Sequence, residues 1–165
     1  MKPLARRHLL AAAAAWPLVP ATARAAAPAR GDLVAWPEVT LLDGSRFGAA
    51  QARGRALVVV FWSTSCPFCR RHNQHVEKLH RAAAGRALTV LGVARDRDPD
   101  TVRRHLQSHG LSFPVTQDYA ALATALSRRN MIPLTVTVDR QGRLGQVIPG
   151  EMFEDDVLEL LALAA

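Results

Sequence analysis

The chain has 165 residues, of which 49% are hydrophobic and 21% are charged. These values are ordinary for one globular domain with its own hydrophobic core, so they argue against a disordered chain and against a protein with several membrane spans. The formal net charge is +7, but the first 25 residues hold four basic and no acidic residues, so a chain that begins at Ala26 would carry +3, a mildly basic value that does not indicate nucleic-acid binding.

The first 25 residues have the pattern of a signal peptide. Lys2, Arg6 and Arg7 precede an apolar stretch, and Ala23 and Ala25 are the small residues that signal peptidase recognises. Prolines interrupt the apolar stretch, which is shorter than the roughly 18 to 20 residues that a membrane span requires. We therefore expect cleavage after Ala25 and export to the periplasm, with a membrane contact only if the segment is left uncleaved. Arg6-Arg7 also resembles a twin-arginine export signal.

A tether and a small hairpin are expected next. Residues 26–34 are rich in Ala, Pro, Arg and Gly, which predicts a flexible tether, and we place the folded domain at residues 35–165. Trp36–Leu42 is typical of a short edge strand, because its proline cannot donate a hydrogen bond to a neighbouring strand. Asp43-Gly44 predicts a turn, and therefore a β-hairpin that continues into Ser45–Phe47.

The following segment predicts a βαβ unit. Ala56–Trp62 is a continuous apolar run of strand length, as expected for a central strand that is covered on both faces. Ser63–Ser65 supplies helix-capping residues, and a helical pattern runs from Cys66 to about Ala84. Leu88–Ala94 is a second run typical of a buried strand, so we expect the two strands to lie parallel, with the helix between them in sequence.

The second half of the chain adds helices and a hairpin. Asp98 and Pro99 are typical of a helix N-terminus, while the charged residues 95–98 are expected to form a solvated loop. The further predicted elements are a short strand at 113–115, a short helix at 119–126, hairpin strands at 134–138 and 144–148, and a C-terminal helix at 154–164. This order indicates the α/β class, with a mixed central sheet and helices on both faces.

Cys66 and Cys69 are the only cysteines, and Pro67 and Phe68 separate them. A disulfide across two residues closes a small loop and constrains the unfolded chain little, so the pair would be a poor structural crosslink. A zinc or iron–sulfur site needs further ligands, and we therefore expect no metal. At a helix N-terminus the dipole stabilises a thiolate, which predicts Cys66 as the nucleophile and Cys69, one turn later, as the resolving thiol.

Two segments carry a family resemblance. Residues 61–70, Phe-Trp-Ser-Thr-Ser-Cys-Pro-Phe-Cys-Arg, resemble the active-site segment of the thioredoxin superfamily, and residues 131–139 resemble its cis-proline loop and following strand. The helix and strand between residues 98 and 115 resemble the insertion of the TlpA/ResA-like branch of exported thiol-disulfide oxidoreductases. The resemblance extends from about residue 33 to the C-terminus. It implies a thioredoxin-like fold with an N-terminal β-hairpin and this helix-strand insertion.

The resemblance also implies the parts of an active site. The peptide bond before Pro133 should be cis, Pro133 should face the Cys66 sulfur, and the backbone of Ile132 should pair with an extended substrate. The supporting and substrate-binding residues would be Trp62, Pro67, Phe68, Ile132 and Pro133. The redox-active cysteine pair would need no cofactor. Its partners would be disulfides of client proteins and a membrane-bound thiol electron donor, with cytochrome c biogenesis as one setting.

Two positions depart from the family pattern. Val60 occupies the position where thioredoxin has a buried proton-handling acid, and Ser65 replaces a tryptophan, which predicts a more polar rim. Pro67-Phe68 matches neither the reducing thioredoxins nor the oxidant DsbA, whereas Ile132 resembles thioredoxin. We therefore expect a protein disulfide reductase and keep a disulfide oxidase or isomerase as the alternative.

A copper-binding chaperone is the alternative from another functional class. Cys66, Cys69 and a nearby histidine are ligands that Cu(I) accepts. Exported copper chaperones of this fold, however, resemble Cys-x-x-x-Cys with a distant histidine. We therefore predict that Arg71, His72 and His75 form a solvated face of the helix.

Overall fold

The structure, a computed structural model, describes residues 28–165. The predicted signal peptide, residues 1–25, lies outside this range, as do the first two residues of the predicted tether. Within the described range, no helix has the length and apolar character needed to cross a membrane.

The later part of the predicted tether is attached to the domain. The amide of Gly31 donates to the carbonyl of Leu144 over 2.7 Å, and the amide of Val34 donates to that of Gly142 over 2.9 Å. Leu33 between them forms an antiparallel bridge with Arg143. Residues 31–34 therefore pair with the edge of the sheet, because they offer backbone groups to a strand whose outer side is otherwise open.

The elements follow one another in the predicted order. They are β1 (Val39–Thr40), β2 (Arg46–Phe47), α1 (Ala49–Ala52), β3 (Ala56–Trp62), α2 (Pro67–Ala82), β4 (Leu88–Ala94), α3 (Pro99–Ser108), β5 (Val115–Thr116), α4 (Tyr119–Leu126), β6 (Leu134–Val138), β7 (Leu144–Pro149) and α5 (Glu154–Glu159), with a 3₁₀ helix at Leu160–Ala164. The short α1 was not predicted. The predicted C-terminal helix is divided, since its last turns tighten to 3₁₀ geometry, as helix ends often do.

A five-stranded sheet in the order β5-β4-β3-β6-β7 forms the centre, and β1 and β2 form the separate N-terminal hairpin. The central strand β3 lies parallel to β4 and antiparallel to β6. All seven residues of β3 are buried, as its uninterrupted apolar run predicts. The predicted mixed sheet of a thioredoxin-like fold is thus confirmed.

Helices cover both faces of this sheet. Alternate residues of β3 enter two core clusters: Val58 and Val60 pack with residues of α2, α3 and α5, whereas Val59 and Phe61 pack with residues of α4. A strand sends successive side chains to opposite faces, so an apolar strand needs a cover on each side.

The sheet register decides where the two predicted site segments meet. Leu134, the first residue of β6, lies opposite Phe61, next to the last residue of β3. The chain therefore leaves β3 toward Cys66 at the same end of the sheet at which Pro133 leads into β6. This arrangement follows from antiparallel pairing, which places the end of one strand beside the start of the other.

Candidate active site

Cys66 and Cys69 form a disulfide at the start of α2. Cys66 is the N-cap of the helix, because its Sγ accepts a hydrogen bond from the Cys69 amide over 3.2 Å. Pro67 follows at the first helical position, where a missing N–H removes no helical hydrogen bond. The capping role predicted for Ser63–Ser65 is therefore wrong, since the sulfur caps the helix itself.

The two sulfurs differ in access. Cys66 is half-buried, whereas Cys69 is 0% exposed and belongs to the core cluster beneath α2. A disulfide in another protein can therefore approach Cys66 but not Cys69. The assignment of Cys66 as the attacking thiol and Cys69 as the resolving thiol stays a prediction, which this difference in access favours.

Asp96 anchors the loop that carries the motif. Its carboxylate accepts hydrogen bonds from the Thr64 amide over 3.0 Å, the Thr64 hydroxyl over 2.5 Å and the Ser63 hydroxyl over 3.3 Å. Its backbone carbonyl accepts another from the Gln117 amide group over 2.6 Å. The prediction that residues 95–98 form a solvated loop is wrong for Asp96, which holds the end of β3 in place.

The loop before β6 has the predicted proline geometry. The Ile132–Pro133 peptide bond is cis. Pro133 is buried, Ile132 is half-buried and Met131 is 44% exposed. On the motif itself, Phe68 is 57% exposed. The end of the sheet that carries the cysteines thus presents Phe68, Met131 and Ile132 as apolar surface.

His72 corrects one sequence prediction. It is 0% exposed instead of solvated, because it lies on the same face of α2 as Cys69, Val76 and Leu79. The spacing of these residues, three, four and three apart, is the signal in the sequence that identifies the buried face. Arg71 is exposed as predicted, and His75 is half-buried.

Hydrogen bonds assign the tautomer of His72. Its Nδ1 accepts from the Met152 amide over 3.3 Å, so the proton lies on Nε2, which donates to the Thr135 hydroxyl over 3.0 Å. Burial, with a smaller effect from the charge of His75, lowers the pKa of His72 to about 4. The imidazole is therefore neutral at physiological pH.

The hydrogen-bonded pair of His72 and Thr135 lies next to Val60. Val60 is fully buried, and Thr135 lies directly opposite it on the neighbouring strand β6. Where thioredoxin has an acid, this chain thus has an apolar side chain, and the adjacent strand carries a hydroxyl bound to a neutral histidine. His72 follows Cys69 by one turn, so the hydrogen-bonded pair of His72 and Thr135 lies beneath helix α2.

Trp62 and Arg71 lie next to the motif, Trp62 in the core and Arg71 on the exposed face of α2. Trp62 is 0% exposed, and its ring lies 5.3 Å from that of His105 on α3, so it packs in the core at the end of β3 that leads into the motif. Arg71 donates to both oxygens of Glu151 over 2.8 and 2.6 Å and lies 5.1 Å from the Phe68 ring. The helix is thereby fastened to the loop that precedes α5.

The arrangement supports thiol chemistry. In the part of the chain described, residues 28–165, no group of three or more His, Cys, Asp or Glu residues is placed to hold a metal ion. Both ring nitrogens of His72 are engaged by the protein. The reactive groups at this end of the sheet are the two sulfurs, one accessible and one buried.

Comparison with known proteins gives consistent matches. A family model described as Redoxin matches residues 29–161. Thiol-disulfide oxidoreductase ResA of Halalkalibacterium halodurans is 28% identical over 122 residues, which cover 74% of this chain and 69% of that protein. ResA of Geobacillus kaustophilus is 25% identical over 119 residues, which cover 72% of this chain and 68% of that protein.

Solved structures have the same fold. A thiol:disulfide interchange protein of the thioredoxin family from Chlorobium tepidum superposes with a TM-score of 0.75 at 25% identity, over 84% of this chain and 99% of that one. A secreted Mycobacterium tuberculosis disulfide oxidoreductase, described as homologous to E. coli DsbE, superposes with a TM-score of 0.65 at 22% identity, over 76% of this chain and 94% of that one.

Proposed function

Because the chain belongs to the Redoxin family and is a TlpA/ResA-like member of the thioredoxin superfamily, we propose that this thiol-disulfide oxidoreductase reduces disulfides of client proteins outside the cytosol. The difference in access between half-buried Cys66 and fully buried Cys69 is the observation that carries the proposal. A client disulfide can reach Cys66, whereas buried Cys69 remains for the second step of the exchange.

The reaction balances through the two sulfurs alone. The Cys66 thiolate attacks one client sulfur, the client S–S bond breaks, and the other client sulfur leaves as a thiolate. The Cys69 thiolate then attacks the Cys66 sulfur, which releases the second client thiolate and forms the Cys66–Cys69 disulfide. Two electrons pass from the protein to the client, so no cofactor takes part.

The helix start favours the first step. In the oxidised structure the Cys69 amide lies 3.2 Å from the Cys66 sulfur, and the same donor would stabilise the thiolate after reduction. The N-terminal end of the 16-residue helix α2 adds its positive dipole. Cys66 is thereby the sulfur better suited to carry the negative charge.

The client would lie as an extended segment beside the loop of Ile132 and Pro133. Backbone groups of this loop would pair with the segment as in strand addition, and the apolar surface of Phe68 and Met131 would contact its side chains. The half-burial of Ile132 suits this role, since a client must reach its backbone.

The proposal includes the direction of electron transfer, from this protein to its client, and its location in the periplasm. Ile132 before the cis-proline resembles reducing members of the superfamily, and a membrane-bound thiol donor would restore the dithiol. The predicted signal peptide, and the description of one structural relative as secreted, support work in the periplasm.

Trapping tests the mechanism. Cys69→Ala should accumulate mixed disulfides between Cys66 and clients in the periplasm, because the resolving step is missing, whereas the matched Cys66→Ala variant should accumulate none. Client adducts formed equally well by Cys66→Ala would reverse the assigned roles. If neither variant forms an adduct, the proposed exchange with protein clients is contradicted.

The reduction potential of the Cys66–Cys69 pair tests the direction. The potential is measured by equilibration with glutathione or dithiothreitol buffers. For a reductase it should lie well below the value of about −120 mV known for DsbA. A potential near that value would contradict the proposed reductase and favour the oxidase alternative.

A further inference from the structure

A cleft of about 200 Å³ opens beside Cys66, between the start of α2 and the insertion helix α3. Cys66, the N-cap of α2, and Arg70 line one side, and His105 of α3 and His109, the residue after this helix, line the other. Pockets for small molecules are usually larger, roughly 300–1,000 Å³. The cleft is therefore of a size to hold one side chain of a client whose cysteine sulfur is bound to Cys66.

Arg70 gives the cleft its charge. Arg70 is exposed, and within residues 28–165 its guanidinium forms no hydrogen bond or ion pair. Its neighbour Arg71 differs, since its guanidinium binds Glu151 through two hydrogen bonds. A guanidinium that the protein leaves unpaired at the wall of a cleft is available to bind a carboxylate in a forked, two-bond geometry.

The Asp96 carboxylate, which binds the cleft residue Thr64, does not pair with Arg70. Asp96 is absent from the lining of the cleft, and its carboxylate accepts three hydrogen bonds from Ser63 and Thr64. No Asp or Glu is among the residues that line the cleft. The lining of the cleft therefore carries no negative charge, and Arg70 supplies a positive one.

The wall formed by α3 is built from stacked rings. His105 and His109 lie 4.1 Å apart with an interplanar angle of 24°, and His105 also packs against the buried Trp62. The His109 Nδ1 donates to the His105 carbonyl over 2.9 Å, which holds its ring against the helix. The wall is thus fixed in position, and Arg70 is the exposed charged side chain of the cleft.

We propose that this cleft is a specificity subsite that takes an aspartate or glutamate side chain close to the reacting cysteine of the client. The inference rests on the proposed thiol exchange at Cys66. Arg70 follows Cys66 by four residues, so their Cβ atoms lie about 5–6 Å apart on the helix surface. An extended client advances about 3.3 Å per residue, so a residue one or two positions from its cysteine reaches Arg70.

The test measures the first step by itself. Cysteine peptides that differ only in Glu, Gln or Lys beside the cysteine are prepared as 2-pyridyl disulfides and mixed with the Cys69→Ala protein. The Cys66 thiolate attacks the peptide sulfur, the S–S bond breaks, and pyridine-2-thiolate leaves and is followed by its absorbance. Each rate is divided by the rate of the same peptide with 2-mercaptoethanol, which removes differences in intrinsic reactivity.

We expect the Glu peptide to react about two- to five-fold faster than the Gln peptide at low salt, the factor that an exposed ion pair supplies, and the Lys peptide to be slower. High salt should reduce the ratio. Arg70→Gln should bring the Glu and Gln peptides to equal rates. Arg53→Gln, which removes one charge before the opposite end of β3, should leave the preference unchanged.

Two results would overturn the subsite: equal normalised rates for all three peptides, or a Glu preference that persists in Arg70→Gln. Either would leave the proposed function intact, because the peptides would still react at Cys66. If none of the three peptides reacts, the proposed exchange chemistry fails and the subsite fails with it. Arg70→Gln changes an exposed side chain, and an unchanged thermal unfolding midpoint shows that its effect is local.

Discussion

His72 should make the protein sensitive to mild acid. Burial lowers its pKa to about 4, whereas in the unfolded chain it titrates near its ordinary value of 6.5. Between these pH values the unfolded chain binds a proton that the folded chain rejects, so acid favours unfolding. The stabilisation is complete above about pH 6.5 and is lost as the pH falls toward 4.

The magnitude follows from the difference between the two pKa values. At about 1.4 kcal/mol per pKa unit, the free energy of unfolding should fall by about 3 kcal/mol between pH 7.5 and pH 4 because of His72 alone. Carboxylates such as Glu154, whose pKa the hydrogen bond from Lys78 lowers, also lose stabilisation in acid. Their contribution is shared by proteins that differ only at position 72.

Urea unfolding of the oxidised protein at both pH values measures the effect. His72→Gln keeps an amide that can donate to Thr135 but removes the titrating ring, so its loss of stability in acid should be about 3 kcal/mol smaller. His80→Gln removes a histidine from the same helix and should retain the full loss. Equal losses in the unmodified protein and His72→Gln would refute the reasoning.

Two further substitutions test the packing around the site. Gly92→Ala should lower the free energy of unfolding by about 1–3 kcal/mol, because its Cβ would lie 2.8 Å from the Phe113 ring and 2.9 Å from the Val115 methyl group. Urea unfolding measures it, with Gly48→Ala as the control; comparable midpoints for the two variants would argue against tight packing here. Asn73→Leu should raise the free energy of unfolding by about 1–3 kcal/mol, since the amide oxygen and nitrogen of Asn73 are buried without hydrogen-bond partners among the described residues. A lower urea midpoint for Asn73→Leu would show that the amide is satisfied in solution.

Local patterns in the sequence were sufficient for the elements and for the redox pair. Ala56–Trp62 is apolar throughout, so its burial on both faces could be predicted and was confirmed. Asp98 and Pro99 predicted the start of α3, where the Asp98 carboxylate accepts from two amides of the first turn. Such features depend on neighbours within a few residues, and these neighbours are visible in the printed sequence.

Contacts between distant segments required the tertiary structure. His72 was predicted to be solvated because its chemistry is polar, but its partner Thr135 is 63 residues away and belongs to another strand. Asp96 was placed in a solvated loop for the same reason, and it binds Thr64 across 32 residues. A polar side chain is buried only when such partners satisfy it, and a local pattern does not show them.

The sequence by itself was sufficient to identify the candidate redox pair, because the spacing of Cys66 and Cys69 at a strand-to-helix junction is a local feature. The tertiary structure alone decided which sulfur is accessible, and it brought His105 and His109, at the end of α3, beside Cys66. Accessibility and the lining of a cleft depend on how separate elements pack. They are therefore set by the whole sheet and its covering helices, and not by the motif.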